Sequence, residues 1–429
     1  MAFELWHGAL LVSALVLAGL FFLVLAEPGL RYGIADLPPA PGGHEMLGLL
    51  AALADAPVGH ATRIELLRDG SSFYPAMLDA IAQARRSVHL EAYVFRPSAV
   101  VDRFMAALVE RANSGVQVRL VLDAIGSWSL ADQNLQALRR AGGHVAWYQP
   151  VRWHTLKRFN NRTHRELLIV DGEVGFTGGA GISAWWDEAQ GDRPPWRDMM
   201  VRLHGPVVAS LQAVFAENWL EGSGELLTDA GSFPHCRAEP ANQPPGSAAI
   251  VVSGTPSAGR ATRARMLFQL LIAGARHSIA IQSPYFLPDR SMRAELCRAR
   301  ERGVRVQILV PGRHNNHPIA RRASRRRYGE LLRAGIEISE YLPGMNHTKL
   351  LIVDEVWSVV GTSNFDNRSF GLNDEVNVVL TDGPLAAELR EGFQRDIRSS
   401  APIDLSTWQA RPWSERALAM LGVLLERQQ

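Results

Sequence analysis

Two histidines open a repeated eight-residue phrase in this 429-residue chain. Residues 164–171 read HRELLIVD and residues 347–354 read HTKLLIVD, so six of the eight positions match across a separation of 183 residues. An imidazole titrates near neutral pH and acts as a nucleophile, a general base or, when protonated, a general acid. Two such groups suffice for a two-step displacement in which one forms a covalent intermediate and the other transfers protons.

The second phrase carries residue types that handle phosphate. Alternate residues of a strand point to the same face, so His347 and Lys349 are expected to project into one site. The chain continues with GTSNFDNRSF at residues 361–370, and Glu375 then opens a further apolar strand. Small residues and amides in such a stretch allow hydrogen-bond donors to approach an anion closely. This combination indicates a phosphate-binding reaction centre.

The first phrase is followed by a similar set of small and acidic residues. A glycine pair, Gly178 and Gly179, stands at the equivalent place, and Asp198 in WRDMMVRL takes the place of Glu375. The asparagine position, in contrast, is occupied by Gly181. The first half of the site therefore keeps its histidine and a carboxylate but lacks the amide.

Glu166 replaces the lysine of the second phrase and reverses the charge beside the histidine. Two unit charges 4 Å apart interact by about 4 kcal/mol at an effective dielectric of 20, so the exchange costs roughly twice that if nothing compensates. Compensation could come from Arg162 or Arg165, from a substrate hydroxyl or amine bound by the carboxyl group, or from a neutral carboxyl group. The alternative is that the first half has decayed.

The two phrases lie in a longer internal duplication. ARRSVHLEAYVF (84–95) resembles ARHSIAIQSPYF (275–286), and SGVQVRLVLD (114–123) resembles RGVRVQILVP (302–311). Helical stretches alternate with β-rich runs in both halves, and LLIV in both phrases has the unbroken apolarity of a buried central strand. The predicted fold class is α/β, with two duplicated lobes, each a mixed, mostly parallel sheet flanked by helices.

Stretches rich in proline and glycine mark the predicted domain boundaries, at DLPPAPGGHE (36–45) and DAGSFPHCRAEPANQPPGSA (229–248). The resulting division is a membrane anchor at 1–33, a linker at 34–56, a first lobe at 57–225, a linker at 226–248, a second lobe at 249–400, and a C-terminal segment at 401–429 with an amphipathic helix from Ser414.

A charge-free apolar run extends from Gly8 to Ala26, and its 19 residues suffice to cross a hydrocarbon core of about 30 Å as a helix. We interpret this run as a single N-terminal transmembrane helix that places the protein in the cell membrane, as in a bacterial inner membrane. A cleaved signal peptide is the alternative, but no Lys or Arg precedes the run. Flanking charge does not fix the side on which the lobes lie.

The overall composition is that of a globular protein without a dominant charge. A net charge of +2 gives no global field for binding nucleic acid, so no nucleic-acid partner is expected. Cys236 and Cys297 have neither metal-ligand spacing nor the density of a disulfide scaffold, so they leave the redox compartment open. The sequence also leaves the oligomeric state open.

The pattern H-x-K-x-x-x-x-D followed by G-[GST]-x-N resembles the phospholipase D superfamily, and its duplication resembles the branch that contains cardiolipin synthases. The resemblance extends from about residue 57 to 400, and NFDNRSFGLNDE is similar to what that branch carries. The second-lobe residues that fit the pattern are His347, Lys349, Asp354, Gly361, Thr362, Asn364 and Glu375. In the first lobe the matching residues are His164, Asp171, Gly178, Gly179 and Asp198, with Glu166 as the variant position.

This resemblance implies a membrane-bound phosphatidyltransferase that acts on phospholipid without metal or other cofactor. His164 would be the nucleophile and His347 the general acid/base, with Lys349, Asp171 and Asp354 as further catalytic residues. The implied reaction joins two phosphatidylglycerol molecules to give cardiolipin and glycerol through a phosphohistidine. The alternatives are a phospholipase D-type hydrolase, a phosphodiesterase or nuclease, and a catalytically decayed lipid-binding protein.

Overall fold

The computed structural model describes residues 31–153, 158, 160–229, 231–234, 247–256 and 261–411, together with isolated residues before position 20. Within these residues, no helix is both long and apolar enough to cross a membrane. Most of the predicted anchor, Gly8 to Ala26, lies outside the described residues, and so does the predicted helix that begins at Ser414.

The chain begins its described fold with two short elements, α1 (His44–Ala54) and β1 (Val58–Ala61). The first lobe then contains, in chain order, β2 (Arg63–Arg68), α2 (Gly70–Gln83), β3 (Ser87–Ala92), α3 (Ala99–Asn113), β4 (Gln117–Asp123), α4 (Asp132–Arg140), β5 (His144–Tyr148), β6 (Leu167–Val170), β7 (Val174–Gly178), α5 (Ala184–Asp187), β8 (Met199–His204) and α6 (Val208–Ser223).

The second lobe repeats this order with additions. Its elements are β9 (Ser247–Gly254), α7 (Arg263–Gly274), β10 (Ser278–Gln282), β11 (Phe286–Leu287), α8 (Arg290–Glu301), β12 (Arg305–Pro311), α9 (Pro318–Arg333), β13 (Glu337–Tyr341), β14 (Leu350–Val353), β15 (Trp357–Gly361), β16 (Phe365–Asp366), α10 (Asn367–Gly371), β17 (Glu375–Leu380), α11 (Gly383–Arg398), β18 (Ser400–Pro402) and α12 (Leu405–Gln409).

Each lobe is built on one large mixed sheet. The strand order is β2-β8-β7-β6-β3-β4-β5 in the first lobe and β1-β9-β17-β15-β14-β10-β12-β13-β18 in the second, and β11 pairs with β16 separately. The predicted α/β class and the mixed sheets are confirmed. The prediction of mostly parallel pairing is wrong, because the parallel pairs among the described strands of the large sheets are β3–β4, β4–β5, β10–β12 and β12–β13.

The antiparallel pairing has a local cause in the repeated phrase. Asp171 and Gly172 take positive φ angles of 56° and 67°, and they close a tight turn between β6 and β7. Asp354 and Glu355 do the same between β14 and β15, with φ angles of 53° and 56°. A short turn can join antiparallel strands, whereas a parallel pair needs a longer crossover. Crossover helices join β3 to β4 and β10 to β12.

The two sheets face each other across a shared apolar core. This inner core takes side chains from both sheets together with Phe215 of α6 and Phe393 of α11. Helices α2 and α3 cover the outer face of the first sheet, and α7 and α8 cover the outer face of the second. The strand LLIV is fully buried in both lobes, as its sequence predicts.

The segment predicted to be the first linker contributes to the second lobe. Met46 and Leu50 of α1 are 0% and 1% exposed and belong to the second lobe's core cluster, where α1 packs against α7. Strand β1 pairs with β9, with Val58 opposite Ile250. The apolar residues in HEMLGLLAALA therefore form a helix that packs into the core, although prolines and glycines precede them. Residues 44–61 are part of the second lobe.

Candidate active site

The two histidines lie where the lobes cross. The backbone N–H of His164 donates to the carbonyl of Asp374 at 2.8 Å, and that of His347 donates to the carbonyl of Arg197 at 2.7 Å. Short parallel bridges between the lobes accompany both bonds. Each histidine, at the entrance of the LLIV strand of its own lobe, is therefore fixed by backbone of the other lobe.

The carboxylates are exchanged between the lobes in the same way. His164 Nδ1 lies 3.3 Å from Glu375 Oε2, and His347 Nδ1 lies 2.9 Å from Asp198 Oδ2. A carboxylate at Nδ1 orients the ring and favours the tautomer that carries the proton there. Nε2 of each ring is then the nitrogen left for chemistry.

Further hydrogen bonds fix both carboxylates. Trp186 Nε1 donates to Asp198 Oδ2 at 3.0 Å, and the backbone N–H of Met199 donates to Asp198 Oδ1 at 2.9 Å. The Thr362 hydroxyl donates to Glu375 Oε2, and Asn373 Nδ2 donates to Glu375 Oε1 at 3.3 Å. Trp186 and Thr362 therefore act on the histidines through the carboxylates.

The predicted glycines serve close packing around these groups. A Cβ on Gly178 would lie 2.2 Å from the carbonyl oxygen of Met199, and one on Gly361 would lie 2.4 Å from that of Val376. A Cβ on Gly179 would lie 2.2 Å from Asp198 Oδ1. Larger residues at these three positions would push apart the strands that carry the carboxylates.

Lys349 and Asn364, which the sequence predicts to bind an anion, lie close to His347 or to its cavity. Lys349 is 4% exposed, and its Nζ lies 2.6 Å from Nδ1 and 3.2 Å from Nε2 of His347. Asn364 and His347 line one cavity, and Asn364 Oδ1 has no hydrogen-bond partner among the described residues. The face shared by residues i and i+2 of the second phrase is thus observed as predicted.

Burial strongly lowers the pKa values of His347 and Lys349. Loss of solvation, aided by the charge of Lys349, lowers the pKa of His347 to about 4, although Asp198 acts in the opposite direction. Burial also lowers the pKa of Lys349 to about 8, against the attraction of Asp198 and Glu375. Near neutral pH the resting site therefore contains a neutral His347 beside a protonated Lys349.

Glu166 is buried in the cavity wall at 5% exposure. Burial raises its pKa well above the usual value, although the N–H of Val94 at 3.4 Å and the charge of Lys349 favour the carboxylate. The direction of this shift agrees with the alternative of a neutral carboxyl group. A Cβ on Gly181 would lie 3.0 Å from Glu166 Oε1 and 2.7 Å from Val94 Cβ, so an asparagine would not fit there.

The arginines next to Glu166 in sequence bind other groups. Arg165 donates to the carbonyl of Val214 at 2.7 Å and to Glu217 at 2.7 Å. Arg162 donates to the carbonyl of Gln149 at 2.9 Å. Within the described part of the chain, neither forms an ion pair with Glu166, so the arginine alternative is not supported.

The catalytic assignment of Asp171 and Asp354 is corrected by their positions. Both lie at the far end of the LLIV strand, about 13 Å of strand away from the histidine end. Asp171 accepts hydrogen bonds from backbone N–H groups of residues 85–87 at 2.7 to 3.2 Å, and Asp354 accepts equivalent bonds from residues 276–278 at 2.7 Å. Each carboxylate therefore stabilises a tight turn and holds the backbone at the start of the neighbouring strand, β3 or β10.

A cavity of about 360 Å³ lies between the lobes and exposes both histidines. Its wall also includes aromatic and charged residues that lie outside the matched motif positions. Among them are Tyr93, Arg96, Arg162, Trp185, Trp196, Asp366 and Arg368. Asp366 and Arg368 belong to the NFDNRSF stretch, so the sequence resemblance could have identified them. Tyr93 and Arg96 follow an ordinary buried strand, and no sequence motif includes them.

Comparison with known proteins shows the family to which this chain belongs. The family model described as "Cardiolipin synthase, PLD-like domain" matches residues 77–219 and 269–397. A cardiolipin synthase of Geobacillus thermodenitrificans is 34% identical over 397 residues, covering 91% of this chain and 77% of the relative. Cardiolipin synthase A of Pseudomonas aeruginosa is 34% identical over 390 residues, covering 90% and 76%.

A solved structure shares the fold at low sequence identity. The phosphatidylserine synthase of Haemophilus influenzae superposes with a TM-score of 0.66 at 14% identity, covering 90% of this chain and 100% of that one. At this identity the likeness concerns the fold alone, and it agrees with the two-lobed arrangement of this chain.

Proposed function

This chain belongs to the cardiolipin synthase family of phospholipase D-like proteins, and from that premise we propose its reaction and the roles of its residues. The chain is a phosphatidyltransferase that transfers a phosphatidyl group from one phosphatidylglycerol to a hydroxyl group of another. The products are cardiolipin and glycerol. The supporting observation is the pair of imidazoles from opposite lobes, each oriented by a carboxylate of the other lobe and facing one cavity.

The reaction proceeds by two displacements at phosphorus. In the first, Nε2 of one imidazole forms a bond to phosphorus, the bond from phosphorus to the glycerol oxygen breaks, and the other imidazolium protonates that oxygen. In the second, a hydroxyl of the acceptor gives its proton to that imidazole and attacks phosphorus, and the N–P bond breaks. Lys349 and Asn364 stabilise charge on the non-bridging oxygens.

We place the phosphohistidine on His347, which reverses the roles that the family resemblance implies for His164 and His347. Burial keeps the His347 imidazole neutral, Asp198 holds its Nδ1 at 2.9 Å, and the Lys349 ammonium lies 3.2 Å from its Nε2. A phosphoryl group on His347 would therefore have a cation beside it. His164 is then the general acid and base.

Membrane attachment is the second part of the proposal. The apolar run from Gly8 to Ala26 would anchor the chain and keep the cavity at the surface where its lipid substrates lie.

Two alternatives to phosphatidyl transfer concern the same site. Hydrolysis would proceed through the same phosphohistidine intermediate with water as the acceptor. A decayed, lipid-binding protein is the alternative that Glu166 favours, and the raised pKa of that residue argues against a strong repulsion there.

The test uses vesicles of phosphatidylglycerol and purified protein. His164→Ala and His347→Ala should each abolish cardiolipin formation, and the double variant should lose little more, because the two groups act as one unit. His60→Ala, which alters an exposed histidine of β1, should behave as the unaltered protein. Near-normal activity of His164→Ala would exclude the two-histidine mechanism.

The same preparations identify the nucleophile. Protein quenched in alkali during turnover should carry the phosphatidyl adduct on His347, as mapped by mass spectrometry of its peptides. An adduct on His164 would reverse the two roles and leave the overall reaction intact. Formation of phosphatidic acid in place of cardiolipin would show a hydrolase.

A further inference from the structure

Three arginines line the cavity on the side of His164. The charges of Arg96, Arg162 and Arg368 all act on the phenol of Tyr93, whose ring centre lies 5.1 Å from that of His164. Each guanidinium lowers the pKa of Tyr93, although burial and the nearby Asp123 raise it overall. All three cations therefore line the cavity within electrostatic reach of Tyr93, whose ring lies beside the proposed general acid.

Two of these arginines are held in fixed positions from different lobes. Arg162 donates to the carbonyl of Gln149 at 2.9 Å and to Asp123 at 3.4 Å. Arg368 of α10 crosses to the first lobe and donates to Oδ1 and the carbonyl of Asn160 at 2.7 and 2.9 Å. These hydrogen bonds fix both guanidinium groups in the wall of the cavity, and Arg162 and Asp123 form an ion pair between buried side chains.

Arg96 is the third cation and has weaker protein contacts. Its guanidinium carbon lies 4.6 Å above the ring of Trp185, which stacks on Trp196 at 4.6 Å. Its Nε donates to the carbonyl of Gly126 at 3.4 Å, a long hydrogen bond. The stacking fixes the plane of the guanidinium and leaves its remaining N–H groups for a ligand.

Negative charge in the cavity offsets this cluster only in part. Two acidic residues line the cavity, and burial raises the pKa of Asp366 to about 6 and that of Glu166 well above its usual value. Near neutral pH Asp366 is mostly a carboxylate, so the three guanidinium groups outnumber the ionised acidic groups of the cavity wall. The transferred phosphate, moreover, is already accounted for by Lys349 and Asn364 beside His347. The arginines therefore exceed what one phosphodiester group requires.

We propose that Arg96, Arg162 and Arg368 form a second phosphate site, which binds the phosphodiester of the acceptor lipid. This inference rests on the proposed function and assigns the residues that hold its phosphatidylglycerol acceptor, so that these arginines select an alcohol that carries a phosphate over free glycerol. With its phosphate at the arginines, the acceptor places its free hydroxyl next to His164, which removes the proton before attack on phosphorus at His347. Arginine forks suit phosphate oxygens geometrically.

The experiment compares two acceptors within the same phosphatidylglycerol vesicles. Cardiolipin formation uses the lipid acceptor, whereas incorporation of radiolabelled glycerol into phosphatidylglycerol uses an acceptor without phosphate. Arg96→Gln should lower cardiolipin formation roughly tenfold, the effect of losing one charge-assisted hydrogen bond. Glycerol incorporation should stay within about twofold, and Arg96→Lys should lie between the two proteins. Arg305→Gln, on an exposed pair with Glu337, is the matched control.

The outcomes separate this inference from the function on which it rests. Equal loss of both activities in Arg96→Gln, or loss of neither, would overturn the second phosphate site. Soluble glycerol 3-phosphate as a third acceptor tests whether the lipid is needed, and use of it as efficient as that of phosphatidylglycerol would overturn the lipid assignment. A protein that incorporates glycerol but makes no cardiolipin would instead refute the proposed function.

Discussion

At the scale of single residues, Glu166 is where this chain departs most from its own duplicate. The carboxyl group occupies the position of a lysine, is almost fully buried, and has a pKa raised by burial. Gly181 leaves room for it, since a Cβ there would already touch Glu166 and Val94. The two changes from the second lobe are therefore structurally coupled and fit together as a pair.

We expect Glu166→Gln to lower the transfer rate or to alter acceptor preference, because the change replaces a carboxyl oxygen by an NH2 group that donates hydrogen bonds but accepts none. Glu166→Lys should give no rescue, since it adds a second buried cation near Lys349. Rates are measured as cardiolipin formed per minute. A clear gain with lysine would indicate that the first half of the site has decayed by acquiring a repulsive charge.

The pH dependence of the rate should report Lys349. The protonated amine stabilises the phosphoryl oxygens, and its pKa is about 8, so the rate should fall as the pH rises through that value. His347, with a pKa of about 4, is already neutral and adds no change between pH 5 and 8. Lys349→Gln should be slow and should lack the decline near pH 8. An unaltered protein whose rate rises from pH 8 to 9 would contradict this.

At the scale of elements, the aspartates that end the repeated phrase connect strands. Asp354 accepts hydrogen bonds from three successive backbone N–H groups, and the chain turns there with a positive φ angle. The same arrangement recurs at Asp171, so the duplication preserved a turn as well as a histidine. The aspartate at the end of each phrase thus holds neighbouring strands together in this protein.

Asp354→Ala should therefore lower stability before it lowers catalysis. Loss of charge-assisted bonds to backbone N–H groups should cost about 2 kcal/mol or more in the free energy of unfolding. The measurement is urea unfolding followed by circular dichroism, alongside the transfer rate per folded molecule at low temperature. Full stability with abolished turnover would restore Asp354 to the catalytic residues.

At the scale of the whole molecule, the active site exists only where two lobes meet. Each histidine takes its carboxylate from the other lobe, and the linking backbone bonds cross the interface at both places. The segment after the apolar run is also joined to the second lobe, because the Tyr32 hydroxyl contacts Asp289 at 2.9 Å and Arg265 at 2.8 Å. The apolar run would thus bring the whole assembly to the bilayer.

Removal of residues 1–30 should release the protein from the membrane fraction and reduce cardiolipin formation in cells. The deletion ends before Tyr32, so the described contacts of the lobes are kept. Membrane and supernatant fractions after centrifugation, probed with an antibody, measure the distribution. A chain lacking only residues 2–7 keeps the apolar run and should remain with the membrane. Persistence of the 1–30 deletion in the membrane fraction would contradict the anchor.

The sequence by itself determined which residues belong to the candidate site and that the fold is duplicated. His164, His347, Lys349 and Glu375 could be found because strand periodicity fixes which side chains share a face, and the buried LLIV strands could be found from their unbroken apolarity. Local signals of this kind depend on neighbours only a few residues away. For the same reason, the helices of both lobes could be predicted from the sequence.

Tertiary structure alone decided what depends on distant parts of the chain. The exchange of carboxylates between lobes joins residues such as His164 and Glu375 that are 211 positions apart, and no local pattern encodes which carboxylate serves which histidine. The place of α1 in the second lobe likewise follows from long-range packing. The raised pKa of Glu166 is decided by burial, because the cost of desolvating a charge depends on everything that surrounds it.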